Sequence, residues 1–137
     1  MKLSRLPVKV AWKQFRTPQP DRSYVVQGTH FVLDGMSSVA RFLHLSRRVQ
    51  RQLANTPGLI GYALYAEPLG KAYWTVSAWD DRAAVETFIA TPPHADVMQT
   101  LPGAMRATAG WTAEGADLPP SWPSVLGRLR RAEKPAE

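Results

Sequence analysis

Two apolar segments of strand length, separated by a short loop that contains proline and glycine, constrain the fold of this chain most. They span residues 59–66 and 72–79. Apolar runs of this length joined by such a loop predict a β-hairpin. The segments on either side of the hairpin then decide the architecture.

A strand and a helix are predicted before the hairpin. Residues 24–33 are rich in valine, threonine and aromatic side chains, as strands are. From residue 39 to residue 54 the apolar side chains recur at helical spacing, and Ser37 or Ser38 is the expected N-cap. The Asn-Thr-Pro-Gly sequence at 55–58 ends this helix.

After the hairpin the pattern is helical and then extended. Asp80 or Asp81 is expected to cap a second helix, a short third helix is predicted over 93–101, and residues 105–113 predict a last strand. The resulting order, β-α-β-β-α-β, is that of a ferredoxin-like α+β domain with an antiparallel sheet and helices on one face. The other sheet face needs a cover, for which a second copy of the chain is the natural source.

Extensions flank this domain at both ends. Residues 8–13 alternate apolar and polar side chains with lysine on one side, which predicts a short strand at an edge of the sheet. Beyond the last strand the chain is rich in proline, and a short basic helix is predicted over 124–132. We therefore divide the chain into a basic N-terminal extension with an edge strand (1–22), the ferredoxin-like domain (23–114) and a proline-rich C-terminal extension (115–137).

Composition excludes several classes of protein. The 137 residues include no cysteine and three histidines, which excludes disulfides, iron–sulfur clusters and cysteine-built zinc sites, and no metal site is predicted. The longest apolar stretch, 58–66, is far shorter than the roughly 20 residues of a membrane-spanning helix, and the N-terminus lacks a secretory signal, so we expect a cytoplasmic protein. The formal net charge is +6, but few aromatic residues interleave with the arginines, which argues against nucleic acid as a partner.

One face of the predicted sheet mixes polar, aromatic and small side chains. A face covered by helices is expected to be uniformly apolar. The mixed face is therefore either the wall of a ligand pocket or a polar interface between two copies. Its members are Gln27, Thr29, Phe31, Ala63, Tyr65, Tyr73, Thr75, Ser77 and Trp79.

Three segments of the chain carry recognisable motifs. They are QLANTPGLIGYAL (52–64), YWTVSAWDDRAAVETFI (73–89) and PHADVMQTL (93–101). Together they resemble the antibiotic-biosynthesis monooxygenase-like proteins of the dimeric α+β-barrel superfamily over about residues 12–113, and an actinobacterial-type branch most closely. The Thr-Pro-Gly loop after the first helix and the Trp-Asp-Asp opening of the second are the most specific parts.

The resemblance implies a homodimer in which two sheets face each other and each subunit has a pocket between its sheet and its helices. Some members oxidise polyphenols with O2 and no cofactor, and others bind and degrade haem through a histidine on a helix. Trp79 and His94 are farther apart here than the corresponding pair of the haem-degrading members, and Gln27 and Gly28 stand where an asparagine is expected. We therefore predict no cofactor, with haem as the alternative.

The candidate catalytic residues are a histidine, an arginine and a tyrosine. His94 lies in the first turn of a short helix, where the helix dipole favours a neutral imidazole that accepts a proton. Arg106 begins the last strand on its polar side and is suited to hold an enolate or a carboxylate. Tyr73 is suited to donate a hydrogen bond or to act as the base. The expected substrate-binding residues are Gln27, Thr29, Phe31, Tyr65, Thr75, Ser77, Trp79 and Trp111.

Two functions remain open at this point. The first is a small monooxygenase-like enzyme that acts on a planar aromatic or polyphenolic substrate. The second is a non-catalytic dimeric module that holds a small aromatic molecule. Detection of turnover distinguishes the two.

Overall fold

Five strands form one antiparallel sheet in the computed structural model of the protein. In chain order they are β1 (Val8–Gln14), β2 (Tyr24–Leu33), β3 (Leu59–Glu67), β4 (Ala72–Trp79) and β5 (Met105–Gly115). Their order across the sheet is β1-β3-β4-β2-β5. The structure describes residues 8–67, 71–100, 105–115, 118, 120, 123 and 127, without the side chains of residues 8, 9, 100 and 105–109.

Three helices pack on one face of this sheet. They are α1 (Met36–Ala54), α2 (Arg82–Ala90) and α3 (His94–Thr100). The predicted ferredoxin-like α+β architecture is confirmed, and β1 lies at the edge of the sheet beside β3 as predicted. The predicted helix over 124–132 lies outside the described residues apart from position 127. Within the described part of the chain, no helix is long and apolar enough to span a membrane.

The N-caps of α1 and α2 are different kinds of residue. Asp81 is the N-cap of α2, where its Oδ1 accepts a hydrogen bond of 2.8 Å from the Ala84 N–H, so one of the two predicted caps is confirmed. The prediction of Ser37 or Ser38 as the cap of α1 is wrong, because Gly35 is the N-cap and its carbonyl accepts a hydrogen bond from the Ser38 N–H. Both serines therefore lie inside the first turn of α1.

The turn after α1 is fixed by a glycine. Gly58 has a φ of +89°, a left-handed conformation that residues with a Cβ rarely adopt. Its carbonyl accepts a hydrogen bond of 2.8 Å from the Asp80 N–H, and a Cβ placed on it would lie 2.6 Å from the Cβ of Ala84 in α2. The end of the first helical connection therefore lies directly against the start of the second.

The face of the sheet under the helices holds two of the three core clusters. Tyr73 lies in one, and Trp79 packs against Phe88 in the other. The expectation that a helix-covered face is uniformly apolar is wrong here, because a cavity separates the middle of the sheet from the helices and leaves room for polar side chains. Those polar residues are Gln27, Thr29, Thr75 and Ser77.

The opposite face of the sheet carries a layer of tryptophans. Half-buried Trp12, Trp74 and Trp111 pack on the small and aliphatic side chains of the central strands. The Trp111 ring approaches Gly28 so closely that a Cβ on this glycine would lie 2.7 Å from Cε2 of the ring. Trp74 stacks on His30 with ring centroids 4.7 Å apart. The helices α1, α2 and α3 lie on the other face of the sheet, and Leu118, beyond β5, packs against the same core cluster as the tryptophans.

The N-terminal extension is joined to the domain by backbone and charge contacts. β1 pairs antiparallel with β3 along the edge of the sheet. Beyond β1, Arg16 and Arg22 approach the Asp80 carboxylate to 2.6 and 3.5 Å at the end of β4. The predicted domain boundaries at residues 22 and 114 stay predictions.

Candidate functional site

A cavity of about 270 Å³ lies between the sheet and the helices. Its sheet wall includes Gln27, Thr29, Phe31, Thr75 and Ser77, and its helix wall includes Phe42, Ser46, Gln50, Phe88, His94 and Met98. Met98 is 46% exposed, so the cavity reaches solvent beside α3. Of the predicted site residues, the structure brings six together here: Gln27, Thr29, Phe31, Thr75, Ser77 and His94.

The sheet wall carries two polar cross-strand pairs. Gln27 lies opposite Ser77, and Thr29 lies opposite Thr75. The two threonine hydroxyls are hydrogen-bonded to each other. The period of two in the sequence thus correctly places these four residues on one face with Phe31, and this face lines a cavity within one chain rather than a polar interface between two copies.

His94 provides the imidazole of the helix wall as the first residue of α3. Its Nδ1 lies 3.1 Å from the carbonyl oxygen of Ile89. A carbonyl oxygen can only accept a hydrogen bond, so Nδ1 carries the proton of the neutral imidazole and Nε2 keeps its lone pair. The ring packs beside Phe88, with ring centroids 4.7 Å apart.

The environment of His94 favours the neutral ring. Burial lowers the pKa of His94 below its usual value of 6.5, and the hydrogen bond to the Ile89 carbonyl opposes this only in part. The sequence predicts a neutral imidazole from the helix dipole, and in the structure burial is the cause that lowers the pKa of His94. At pH 7 the Nε2 lone pair is therefore available to accept a proton.

The turn that carries His94 is held by a side chain of α1. The Nε2 of Gln52 donates hydrogen bonds to the carbonyls of Phe88, at 3.3 Å, and Thr91, at 3.0 Å. The Oε1 of Gln52 accepts a hydrogen bond of 2.9 Å from the His94 N–H. One amide therefore ties the end of α2 and the start of α3 to α1, and it fixes the backbone from which the imidazole projects.

Two serines line the cavity, and the hydroxyl of one donates a hydrogen bond whereas the hydroxyl of the other accepts one. The hydroxyl of Ser46, on the helix wall, donates to the Leu43 carbonyl at 3.0 Å. The hydroxyl of Ser77, on the sheet wall, instead accepts a hydrogen bond of 2.8 Å from the Nε1 of Trp79. Because an indole N–H can only donate, Ser77 keeps its own hydrogen, and the described residues provide no acceptor for it.

Tyr73, a predicted catalytic residue, lies outside the cavity. Its side chain is 0% exposed, and its ring centroid lies 5.4 Å from that of Phe31 and 4.4 Å from that of Phe42. Burial raises the pKa of Tyr73 to about 12, so its phenol stays protonated near neutral pH. The prediction of a catalytic Tyr73 is wrong in its placement, because the aromatic core encloses the ring.

Tyr65 and Trp111, two predicted substrate-binding residues, lie on the opposite face of the sheet. Tyr65 pairs across the strands with Trp74, and the two rings meet edge to face with centroids 5.3 Å apart. Trp111 belongs to the same aromatic face. Both predictions are wrong in placement. For Tyr65 the reason is the register of the hairpin, which puts Leu64 rather than Tyr65 opposite Thr75.

Trp79 and Arg106 complete the predicted set. Trp79 is 0% exposed and its ring centroid lies 5.2 Å from that of Phe88, so it belongs to the core and presents no surface for stacking on a ligand. Its prediction as a substrate-contacting residue is therefore wrong, and it reaches the cavity only through its hydrogen bond to Ser77. Arg106 lies on β5, but the structure does not describe its side chain, so its role stays a prediction.

Among the residues of the helix wall, the sequence predicts His94 as a site residue, whereas the others are missed. Ser46 and Gln50 lie on the inner side of α1 with Phe42, Val49 and Leu53. Two polar residues within an apolar helical stripe are the signal that was available in the sequence. A polar side chain on a core-facing stripe needs either a partner or a cavity.

Residues 36–100, from the start of α1 to the end of α3, match the family model described as antibiotic biosynthesis monooxygenase. This segment is similar to antibiotic biosynthesis monooxygenase domains. It contains the whole helix wall and the β4 part of the sheet wall, whereas β1, β2 and β5 lie outside the matched segment. The family resemblance of the sequence is confirmed. No curated protein matches the chain.

Solved structures share the fold of this domain at low sequence identity. SnoaB of Streptomyces nogalater, a cofactor-independent oxygenase solved as a single-site variant, is 19% identical, with a TM-score of 0.57 over 72% of this chain and 98% of that one. SO0527 of Shewanella oneidensis is 14% identical, with a TM-score of 0.60 over 76% and 96%. Rv0793 of Mycobacterium tuberculosis is 13% identical, with a TM-score of 0.57 over 72% and 98%. At these identities the likeness is one of fold.

Haem, the alternative cofactor, does not fit the cavity. A volume of about 270 Å³ is below the roughly 300–1,000 Å³ of sites for drug-sized ligands, and a haem is larger than most such ligands. No lysine or arginine is among the described side chains of the lining, so none of them pairs with the two propionates.

Proposed function

We propose that this protein is an oxygenase that oxidises a small planar aromatic substrate with O2 and without a bound cofactor. His94 carries the proposal, since its Nδ1–H···O bond to Ile89 and its burial leave a neutral Nε2 on the wall of an otherwise largely apolar cavity. A base of this kind is what a substrate needs if it is to be deprotonated before it reacts with O2. The cofactor-independent oxygenase SnoaB, which shares the fold, supports the same reaction class.

The shape of the cavity supports an aromatic substrate. Phe31 and Phe42 meet edge to face on its lining, with ring centroids 5.1 Å apart, and Phe88 lies beside His94. Aromatic rings favour offset or edge-on packing with other rings. A volume of about 270 Å³ suits a compound of about two or three fused rings, such as an anthrone.

The reaction balances without a further reductant. Nε2 of His94 removes a proton from a ring CH2 that is activated by a neighbouring carbonyl or phenol, and the resulting carbanion is the electron donor to O2. A C–O bond forms at that carbon and the O–O bond breaks. The outer oxygen atom leaves as water with the second hydrogen of the CH2 and the proton that His94 returns, so the imidazole is neutral again. The sum is a CH2 group and O2 converted to a C=O group and water, so the substrate itself supplies all the electrons.

Oxygen consumption with anthrone and with hydroxylated anthrones, which carry the activated ring CH2, tests this proposal. We expect uptake above that of heat-treated protein, and a His94→Ala variant slower by about 10²–10⁴-fold, the usual contribution of a general base. His44→Ala is the matched control, because His44 is exposed on α1. Uptake by the wild type should decline as the pH falls below 6.5 toward the lowered pKa of His94, because protonation removes the lone pair of the base.

Two results contradict the proposal in different ways. No uptake across the panel, together with saturable binding of the same compounds, supports the alternative of a non-catalytic ligand-binding module. Equal loss of uptake in the variants of His94 and His44 removes His94 from the role of base.

We also infer that the protein is a homodimer whose two sheets face each other. The aromatic face with Trp12, Trp74 and Trp111 lies opposite α1, α2 and α3, and its tryptophans are only half-buried in one chain although Leu118 packs against the same cluster. Burying large aromatic side chains against a second copy is strongly favourable. The family resemblance supports the same arrangement. The cytoplasmic location stays a prediction.

A further inference from the structure

We propose that Ser77 is the hydrogen-bond donor to an anionic oxygen of the ligand, and that Trp79 is the positioning residue that keeps the Ser77 hydroxyl hydrogen free for that purpose. The inference rests on the proposed function in one respect, namely that the ligand is a phenol or an enolisable ketone. It adds a second polar contact to the cavity, on the wall that does not carry His94.

The hydrogen-bond arithmetic of the Ser77 hydroxyl leads to this assignment. A serine hydroxyl has one hydrogen to donate and two lone pairs to accept with. Nε1 of Trp79 occupies one lone pair at 2.8 Å, and Trp79 is fully buried, so this donor has no competing water. The hydrogen of Ser77 then points away from the indole N–H, and no described residue accepts it.

The second serine of the cavity shows that this state is specific to Ser77. The Ser46 hydroxyl gives its hydrogen to the Leu43 carbonyl at 3.0 Å, as a serine inside a helix often does. A ligand oxygen beside Ser46 therefore meets only lone pairs. A ligand oxygen beside Ser77 meets a hydroxyl hydrogen, and the hydroxyl is polarised by the N–H that it accepts.

The neighbours of Ser77 suit an oxygen with negative charge. Its cross-strand partner Gln27 also lines the cavity, and the amide of Gln27 has N–H groups that make no hydrogen bond with the described residues. No described aspartate or glutamate lines the cavity to repel an anion. Two adjacent donors on a rigid strand pair form the kind of preorganised site that stabilises a developing oxyanion.

The ionisation of a bound dye tests the assignment without reference to turnover. The probe is 4-nitro-1-naphthol, a planar phenol whose phenolate absorbs visible light, and its pKa when bound is read from absorbance against pH. We expect Ser77→Ala to weaken binding of the phenolate relative to the phenol about tenfold, which corresponds to a rise of about one unit in the pKa of the bound dye. The methyl ether of the dye, which cannot ionise, should bind Ser77→Ala and the wild type equally.

Matched control variants show whether Ser77 acts as a hydrogen-bond donor or only fills space in the cavity wall. Ser46→Ala should leave the pKa of the bound dye unchanged, because its hydroxyl hydrogen is already donated to the backbone. Trp79→Phe should raise the pKa of the bound dye by less than Ser77→Ala does. It should have no further effect in a chain that already carries Ser77→Ala, since the two residues act through one hydroxyl.

A second measurement covers the case in which Trp79→Phe does not fold. In the wild-type protein the indole N–H signal of Trp79, observed by NMR, should shift when the dye binds as phenolate, and in Ser77→Ala it should not. An unchanged indole signal in the wild type overturns the role of Trp79.

Failure of this inference differs from failure of the proposed function. If Ser77→Ala and the wild type hold the dye with the same pKa, the inference is overturned, whereas the oxygenase proposal still stands on its own test at His94. If the dye results are as expected and no oxygen is consumed, the donor assignment stands and the oxygenase proposal falls. Absence of saturable dye binding by the wild type overturns the donor assignment and the proposed ligand class together.

Discussion

Replacement of Gln52 by leucine tests how the domain holds its imidazole. Leucine has nearly the volume of glutamine but neither donates nor accepts hydrogen bonds. The substitution removes two hydrogen bonds from Nε2, to the Phe88 and Thr91 carbonyls, and one from the His94 N–H to Oε1. The three partners lie at the end of α2, in the turn that follows and at the start of α3, so the loss is concentrated at the site.

The expected size of the effect follows from these contacts. A net hydrogen bond in a folded protein contributes about 0.5–1.5 kcal/mol. The bond to the Thr91 carbonyl is exposed, and water replaces part of what it loses. We therefore expect Gln52→Leu to lower the free energy of unfolding by about 1–3 kcal/mol and Tm by roughly 5–10 °C for a chain of this size. The pKa of His94 should also rise toward 6.5, because a loosened turn admits water to the ring.

Thermal unfolding followed by circular dichroism and NMR titration of the imidazole measure the two effects. Gln50→Leu is the control, since Gln50 lies on the same helix but makes one hydrogen bond of 3.3 Å, from the Tyr62 hydroxyl. The control should cost less than about 1 kcal/mol and leave the titration of His94 unchanged. Equal melting of Gln52→Leu and the wild type, with an unchanged titration, would refute the role assigned to Gln52.

Two further predictions concern pH and assembly. Because the folded protein lowers the pKa of His94 below 6.5, the unfolded chain takes up a proton first, and stability should fall as the pH falls below 6.5 toward the folded-state pKa; urea unfolding at pH 7.5 and pH 5 should show a larger loss for the wild type than for His94→Phe, and an equal loss would contradict this reasoning. In sedimentation experiments the wild type should be a dimer and Trp74→Arg a monomer of unchanged helix content, and a dimer that survives the substitution would exclude the aromatic face as the interface.

Elements set by local pattern were predictable from this sequence. β2 and β4 have the predicted bounds, because alternation and β-branched residues mark each strand directly. The cap of α2 was predictable for the same reason, since an aspartate at the start of a helix binds N–H groups only three residues away. In each case the deciding contact lies within a few residues along the chain.

Positions that depend on contacts far apart in the sequence were not predictable. Whether Tyr65 or Leu64 shares a face with Thr75 depends on the register of the hairpin, and a slip of one residue exchanges the two faces of β3. From the sequence, Trp79 is predicted to stack on a ligand. In the structure its ring packs against Phe88 of α2, a contact that no local pattern indicates. The role of Gln52 depends on a turn that lies about forty residues farther along the chain.

Gly58 has a consequence for how substitutions in this domain are interpreted. A side chain there meets the Cβ of Ala84 at 2.6 Å and also requires a positive φ, so nearly every replacement is disfavoured twice. A survey of all single variants for folded protein would therefore find Gly58 among the least tolerant positions, although it is not among the residues that line the cavity. By contrast, Ser77→Ala should lower the free energy of unfolding by about 1–3 kcal/mol, because the buried Trp79 N–H loses its acceptor, and its specific effect should appear in an assay of ligand ionisation. A survey that measures folding alone would therefore give more weight to structural positions such as Gly58 than to ligand-binding positions such as Ser77.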